Sequence, residues 1–169
     1  WDITRGVPTA TMHDHAADVL CVEHKQSDAN IFITGSIDSR VHMYDVRIKG
    51  GPVKCFSGQV GDVNALSFCP DGHGIISGCS DGSSHLFDLR AQQSLCSYGE
   101  GTSTSEIAGV GVSASGRFIF TGHADGLVRV WNTVPSKVNS HLPTQTLRGH
   151  HLGITCLEVA PNGNGILTG

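Results

Sequence analysis

The chain is short of the features that mark several large functional classes. Only 11 of its 169 residues are Lys or Arg, they are scattered, and the formal charge is −4. A nucleic-acid backbone requires clustered cations, so DNA or RNA is excluded as the main partner. No apolar run approaches the ~20 residues that a membrane-spanning helix needs. The cysteines, Cys21, Cys55, Cys69, Cys79, Cys96 and Cys156, form no CxxC pair. Most stand in apolar stretches such as Leu20-Cys21-Val22, where a thiol acts as a small hydrophobe. Reduced thiols in a cytosolic protein are therefore expected, because a chain this rich in core residues does not need disulfide staples. A GxxxxGK[ST] phosphate loop and an HExxH helix are both missing. Gly109-Val110-Gly111 lies inside a strand pattern and gives no basis for a nucleotide site. No secretory leader is recognisable, and a chain that starts at Trp1 is expected to continue upstream.

What is abundant is glycine, with 22 residues, set among β-branched residues and turn formers while charged residues make up only 15%. That balance suits an all-β protein of short strands and tight turns. An aromatic followed by Asp or Asn closes a β-rich stretch four times, at Trp1-Asp2, Tyr44-Asp45, Phe87-Asp88 and Trp131-Asn132, with spacings of 43, 43 and 44. Thr34-Gly35-Ser36-Ile37-Asp38, Ser77-Gly78-Cys79-Ser80-Asp81 and Thr121-Gly122-His123-Ala124-Asp125 align without gaps. Strand openings recur at Asp18-Val19, Asp62-Val63, Glu106-Ile107 and Gly153-Ile154. A period of ~40–45 residues with these signatures reads as WD-type propeller blades of four antiparallel strands.

Turn chemistry divides each unit. Strand a is apolar (Asp62 to Phe68) and ends at a turn such as Pro70-Asp71-Gly72. Strand b follows (Ile75 to Gly78; Phe118 to Gly122), then a turn carrying Asp38, Asp81-Gly82 or Asp125-Gly126. Strand c runs into the aromatic-Asp pair, and a more polar strand d lies near Pro52 to Phe56 and Ser94 to Tyr98. Strands a to c are expected to be apolar on both faces, each blade being sandwiched between neighbours. The chain reads as one incomplete propeller domain over residues 1–169, with boundaries near 13–56, 57–98, 99–147 and 148–169: three full blades and parts of a fourth. A closed four-bladed ring would leave the composite blade with Trp1-Asp2 alone as its strand c, so a larger parent ring is expected.

Ser/Thr, His and Asp recur together and resemble a hydrolytic triad at first sight. The set is His15, Thr34, Asp38 and Tyr44 in the first unit, Ser77 and Asp81 in the second, Thr121, Asp125 and Trp131 in the third, and His150 in the fourth. A nucleophile is needed once and a staple in every blade, so these residues are expected to form a buried hydrogen-bond network and no catalytic site. The network is expected to degrade along the chain. Gln59 replaces the histidine in the second unit, Phe87 carries no donor, and the third unit has no histidine ahead of Glu106. Of the ten histidines, none has paired zinc-ligand spacing, and no metal or other cofactor is expected.

In a meander the start of strand a and the b–c turn share one propeller face. Asp18, Asp62 and Glu106 then form a recurrent acidic ring suited to a partner presenting Lys or Arg, while Asp38, Asp81 and Asp125 are expected to be used internally. Leu20 and Asn64 add apolar and amide surface beside it.

Leu86-Phe87-Asp88-Leu89-Arg90-Ala91, continuing through Gln93-Ser94-Leu95 to Tyr98, resembles a segment characteristic of the beta subunit of heterotrimeric G proteins. Tyr44-Asp45-Val46-Arg47, Gly61-Asp62-Val63-Asn64-Ala65 and Ser113-Ala114-Ser115-Gly116-Arg117 are similar too, and the likeness spans the whole chain. It implies a seven-bladed ring and a non-catalytic scaffold. Such a scaffold binds the GDP-bound alpha subunit by one face and a gamma subunit by an N-terminal helix and the opposite side. It engages effectors in transmembrane receptor signalling once alpha is released. It further implies a cytoplasmic location at the inner face of the plasma membrane through lipidated partners. By position, the resemblance places Asp18, Leu20, Asp62 and Asn64 at the alpha interface. Ile37 stands where the family has Cys and Ser80 where it has Asp, which makes these two doubtful contacts. The stretch from Thr133 to Thr144 is longer than the family's. Two other readings stay open: a different WD-repeat adaptor for protein complexes, and a propeller enzyme.

Overall fold

The structure, a computed structural model, describes residues 1–99, 105–134, 142–163 and 165–169. Every regular element among them is a strand. The first sheet holds β1 (Val19–His24), β2 (Ile31–Ser36), β3 (Val41–Asp45) and β4 (Lys54–Phe56). The second holds β5 (Val63–Phe68), β6 (Gly74–Cys79), β7 (Ser84–Asp88) and β8 (Gln93–Tyr98). The third holds β9 (Ile107–Val112), β10 (Phe118–His123), β11 (Leu127–Asn132) and β12 (Gln145–Arg148). In all three the spatial order follows chain order and every pairing is antiparallel. A two-stranded sheet, β13 (Leu157–Val159) with β14 (Ile166–Thr168), follows. Asp2 meets Val7 in an isolated bridge, and Trp1 is 82% exposed. Of the long 133–144 stretch, residues 135–141 lie outside the described residues.

The sheets stack through their first strands: β1 packs on β5, β5 on β9, and β9 on β13. These strands and their outgoing turns surround a cleft of about 620 Å³. One apolar cluster fills each seam. Ile33, Val41 and Met43 meet Val63, Ile75 and Phe87 in the first; Ile76, Leu86 and Tyr98 meet Ile107, Ile119 and Trp131 in the second; Val128 meets Ile154 and Leu157 in the third. The architecture is that of successive blades of a partial β-propeller.

The seams share one contact. A β-branched residue that opens strand a, or in the third seam stands three residues ahead of β13, lies against a glycine near the end of strand b of the preceding sheet. A methyl group on Gly35 would stand 2.5 Å from Val63 Cγ1, one on Gly78 2.5 Å from Ile107 Cγ2, and one on Gly122 2.9 Å from Ile154 Cγ2. Val63 and Ile107 are 0% exposed and Ile154 2%. Burying each contributes about 1.5–3 kcal/mol before entropic costs. Val19 holds the same position in β1, against which no earlier sheet lies among the described residues, and is 51% exposed.

The expectation that strands a to c are apolar on both faces is qualified by polar side chains buried on the second and third strands. β1 has exposed positions throughout, including Leu20 and Val22. The buried surfaces of the second and third strands also carry Thr34, His42, Ser77, Ser84, His85, Thr121 and His123. At the b–c turns, Gly82 and Gly126 adopt positive φ, and Ser39 adopts φ 60° at the matching place. A side chain in that left-handed region costs on the order of 1 kcal/mol.

Gly78→Ala is expected to lower stability by about 1–3 kcal/mol in urea titration, because the close-packed seam cannot yield. Gly149→Ala is the control: nothing lies within 4 Å of that glycine, and its change should stay within about 0.5 kcal/mol.

Candidate partner-binding face and its hydrogen-bonded support

The first strand of each four-stranded sheet begins with a β-bulge. The register skips Leu20 between Val19 and Cys21, Asn64 between Val63 and Ala65, and Ala108 between Ile107 and Gly109. A bulged residue leaves the ladder and its side chain is re-aimed, so the bulge separates Leu20 and Asn64 from the alternation of their strands. Just before each bulge, a backbone carbonyl accepts a hydrogen bond from the b–c turn: Ile37 N–H to Asp18, Ser80 N–H to Asp62 and Ala124 N–H to Glu106, at 3.0, 2.9 and 2.9 Å. These bonds bring the strand starts and b–c turns to one face, which carries Asp18, Asp62, Glu106, Leu20 and Ile37.

The face is not uniform. Asp18 and Glu106 are exposed and Asp62 half-buried. Glu106 is engaged by Asn64, whose Nδ2 donates to its carboxylate at 2.8 Å and to the Ile107 carbonyl at 3.1 Å. Asn64 thus ties the second sheet to the third. Ser80 Oγ accepts from Asp62 N–H at 2.9 Å, so its hydroxyl fixes the turn and supplies no charge. Exposed Val60 lies on the neighbouring loop, whose carbonyl accepts from Ser39 Oγ at 3.2 Å.

Beneath this face each sheet solves the same problem: a hydroxyl on strand b is buried and requires partners. In the first, His15 Nε2 lies 2.8 Å from Thr34 Oγ1 and Nδ1 lies 2.9 Å from Asp38 Oδ2. Burial pushes the Asp38 carboxyl up, but bonds from His15 and the Ala16 N–H outweigh it and hold it below the usual range. The Tyr44 hydroxyl reaches His42 Nδ1 at 3.3 Å. The order Asp38–His15–Thr34 matches a nucleophile relay, but Thr34 is 8% exposed within the sheet.

The expected degradation is corrected by the other two sheets, where the network is rerouted. Gln59 Nε2 donates to Ser77 Oγ at 2.6 Å, so the amide serves where His15 serves in the first sheet. Asp81 turns instead to Ser83, accepting from its N–H and hydroxyl, and Ser83 continues to His85 Nε2 at 3.1 Å. In the third sheet the imidazole comes from strand b itself. His123 Nε2 lies 2.8 Å from Thr121 Oγ1, its Nδ1 donates to the Ser105 carbonyl at 3.0 Å, and Trp131 Nε1 donates to Thr121 at 2.9 Å. Asp125 pairs with Arg129 at 2.6 Å. Asp81 and Asp125 therefore lie outside the histidine–hydroxyl contacts in which Asp38 takes part. His150 Nε2 lies 2.6 Å from Thr168 Oγ1 at an exposed position. Reading the sequence missed His123, although it stands in the aligned column that holds Ser36 and Cys79; the signal was a histidine displaced by one element.

Among the described residues no three His, Cys, Asp or Glu side chains gather as metal ligands. Gly109 and Gly111 serve packing: methyl groups there would stand 2.7 Å from Leu157 N and 2.7 Å from Val159 Cγ2. The six cysteines are free, and burial pushes the Cys21, Cys69 and Cys79 thiols up to about 12, away from thiolate chemistry.

Burial pushes the His123 imidazole down to about 4. The unfolded chain then binds a proton that the folded chain refuses. The neutral ring's stabilisation is complete above the ordinary histidine pKa of about 6.5 and is lost as pH falls toward about 4. Melting curves across this interval should show a loss on the order of 3 kcal/mol from this residue, with a shallower slope in His123→Gln.

Comparison with known proteins agrees with this geometry. The family model described as "WD domain, G-beta repeat" matches residues 6–45, 50–88, 93–132 and 142–169. Each match after the first starts at or just before the outer strand of one sheet and ends with the third strand of the next, or at Gly169 in the last case. Proteins named guanine nucleotide-binding protein subunit beta are similar along the whole chain. That of Arabidopsis thaliana is 35% identical over 178 residues, that of Solanum tuberosum 34% over 177, and that of Oryza sativa subsp. japonica 32% over 180. Each alignment covers 100% of this chain and 47% of the relative, so the chain spans about half the length of these curated relatives. Repeat by repeat and along its full length, the chain belongs to the WD domain, G-beta repeat family, as a G beta-like scaffold of propeller blades.

Proposed function

We propose that the chain is part of a guanine nucleotide-binding protein beta subunit. In this reading it is a non-catalytic scaffold that binds the GDP-bound alpha subunit and a gamma subunit and, once released from alpha, engages effectors in transmembrane receptor signalling. The observation that carries the alpha-binding part is the single face on which bulged strand starts and b–c turns converge, with the Asp18 and Asp62 carboxylates unpaired among the described residues. Acidic groups rimming the exposed apolar side chains Leu20, Ile37 and Val60 complement a partner with basic and apolar side chains, and long-range attraction speeds its approach. Asp18, Leu20 and Asp62 are the proposed contacts. Asn64 acts through the inter-sheet tie as well as by contact, and Ser80 acts by holding Asp62. No helix among the described residues is long and apolar enough to cross a membrane; attachment to the inner face of the plasma membrane is assigned to lipidated partners.

In the full-length protein, Asp62→Ala is expected to weaken binding of the GDP-bound alpha subunit about tenfold, or about 1.4 kcal/mol, in calorimetric titration. Co-purification with gamma should be unchanged. An unaltered alpha affinity would remove Asp62 from the interface. A well-folded full-length protein that binds no alpha subunit would favour the WD adaptor reading.

A further inference from the structure

The strand-c residue that pairs with the buried hydroxyl residue of strand b is basic in all three four-stranded sheets: His42 opposite Thr34, His85 opposite Ser77 and Arg129 opposite Thr121. Arg129 is neutralised by Asp125, and His85 bonds Ser83. His42 differs, because a second imidazole covers it. The His15 and His42 rings stack with centroids 3.9 Å apart and planes 12° from parallel. His42 is 3% exposed, and its Nδ1 meets the Tyr44 hydroxyl at 3.3 Å. The groups around it are Asp14 and His15 from the loop before β1, Thr34 from β2, Asp38 and Arg40 from the β2–β3 turn, Tyr44 on its own strand and Cys55 across on β4.

We propose that the stacked His15 and His42 rings are an acid-operated clasp on the partner-binding face, which releases the loop before β1 and the β2–β3 turn when His42 takes up a proton. The Asp38 oxygens are already used by His15, the Ala16 N–H and the Arg40 N–H. A charge on His42 lies directly beneath the His15 ring, shielded from water, and the rings separate. Burial and then His15 hold the His42 imidazole below the ordinary histidine range, against the opposing pull of Asp38 and Asp14. By linkage the closed clasp is complete above that range and lost as pH falls through it. What opens is the segment that carries Asp18 and Ile37, because the Ala16 N–H to Asp38 and Ile37 N–H to Asp18 bonds depend on it. The clasp does not depend on which partner the face binds.

Amide hydrogen exchange of the full-length protein without partner, followed from about pH 7 to about pH 5 and corrected for intrinsic rates, tests this. Protection at Ala16, Ile37 and Arg40 is expected to fall about tenfold per pH unit as pH drops below the ordinary histidine range, the slope of one linked proton, until the closed clasp itself takes up that proton. Ser80 N–H in the second sheet should stay protected, and His42→Gln should abolish the slope at the first three sites. A flat profile in the unaltered protein, or the same slope in His42→Gln, overturns the clasp. Should His42→Gln fail to fold, ring-proton NMR of the unaltered protein decides. A His42 ring that titrates below the pH at which protection begins to fall supports the clasp; one that titrates while Ala16, Ile37 and Arg40 stay protected overturns it.

Discussion

The arrangement depends on a side chain pressed against a bare peptide. Val63 on Gly35, Ile107 on Gly78 and Ile154 on Gly122 repeat one contact across three seams. Each brings the inner part of one sheet onto the next at a distance that no side chain at the glycine would permit. Dispersion and burial reward that approach, and the rigid β-branched shape leaves little rotameric freedom to lose. The flanking clusters then fill outward from it, with Phe56 against Phe87 in the first seam and Tyr98 against Trp131 in the second. The socket glycine directly follows the buried Thr34, Ser77 or Thr121, so close packing and polar burial occur side by side.

That proximity explains why the polar support varies in identity and persists in kind. A hydroxyl sealed between sheets must find a partner, but nothing dictates which element supplies it. The first sheet uses His15 from the loop before β1, the second uses Gln59 from the equivalent loop before β5, and the third uses His123 from strand b together with Trp131. The third solution frees Asp125 for Arg129; the second leaves Asp81 to Ser83 and His85. The first leaves one imidazole lying on another, an arrangement the other two sheets lack among the described residues.

Much of the fold was legible in the sequence because period and turn chemistry are local and repeat. The aromatic-Asp closures, the Asp-Gly turns and the alternation around Asp62 to Phe68 pointed to strands that the structure places at nearly the same residues. What escaped was set by contacts between units. The role of Gly78 depends on Ile107, 29 positions later, and the duty of His123 depends on a place left vacant before Glu106. The bulges that skip Leu20 and Asn64 were hidden for a related reason: a period-two pattern read along one strand does not reveal that its neighbour is one residue shorter.

The glycines of the third sheet's first strand bear on shape. Gly109 and Gly111 let β13 approach at the inner rim, where a methyl group would already collide with Leu157 and Val159, while the outer strands carry full side chains. Thin inside and thick outside, the stack is a wedge, and wedges bend. Alanine at such rim positions would widen the hub without widening the circumference to match. The sheets would then fan through a smaller angle apiece, and more of them would be needed to complete a circle.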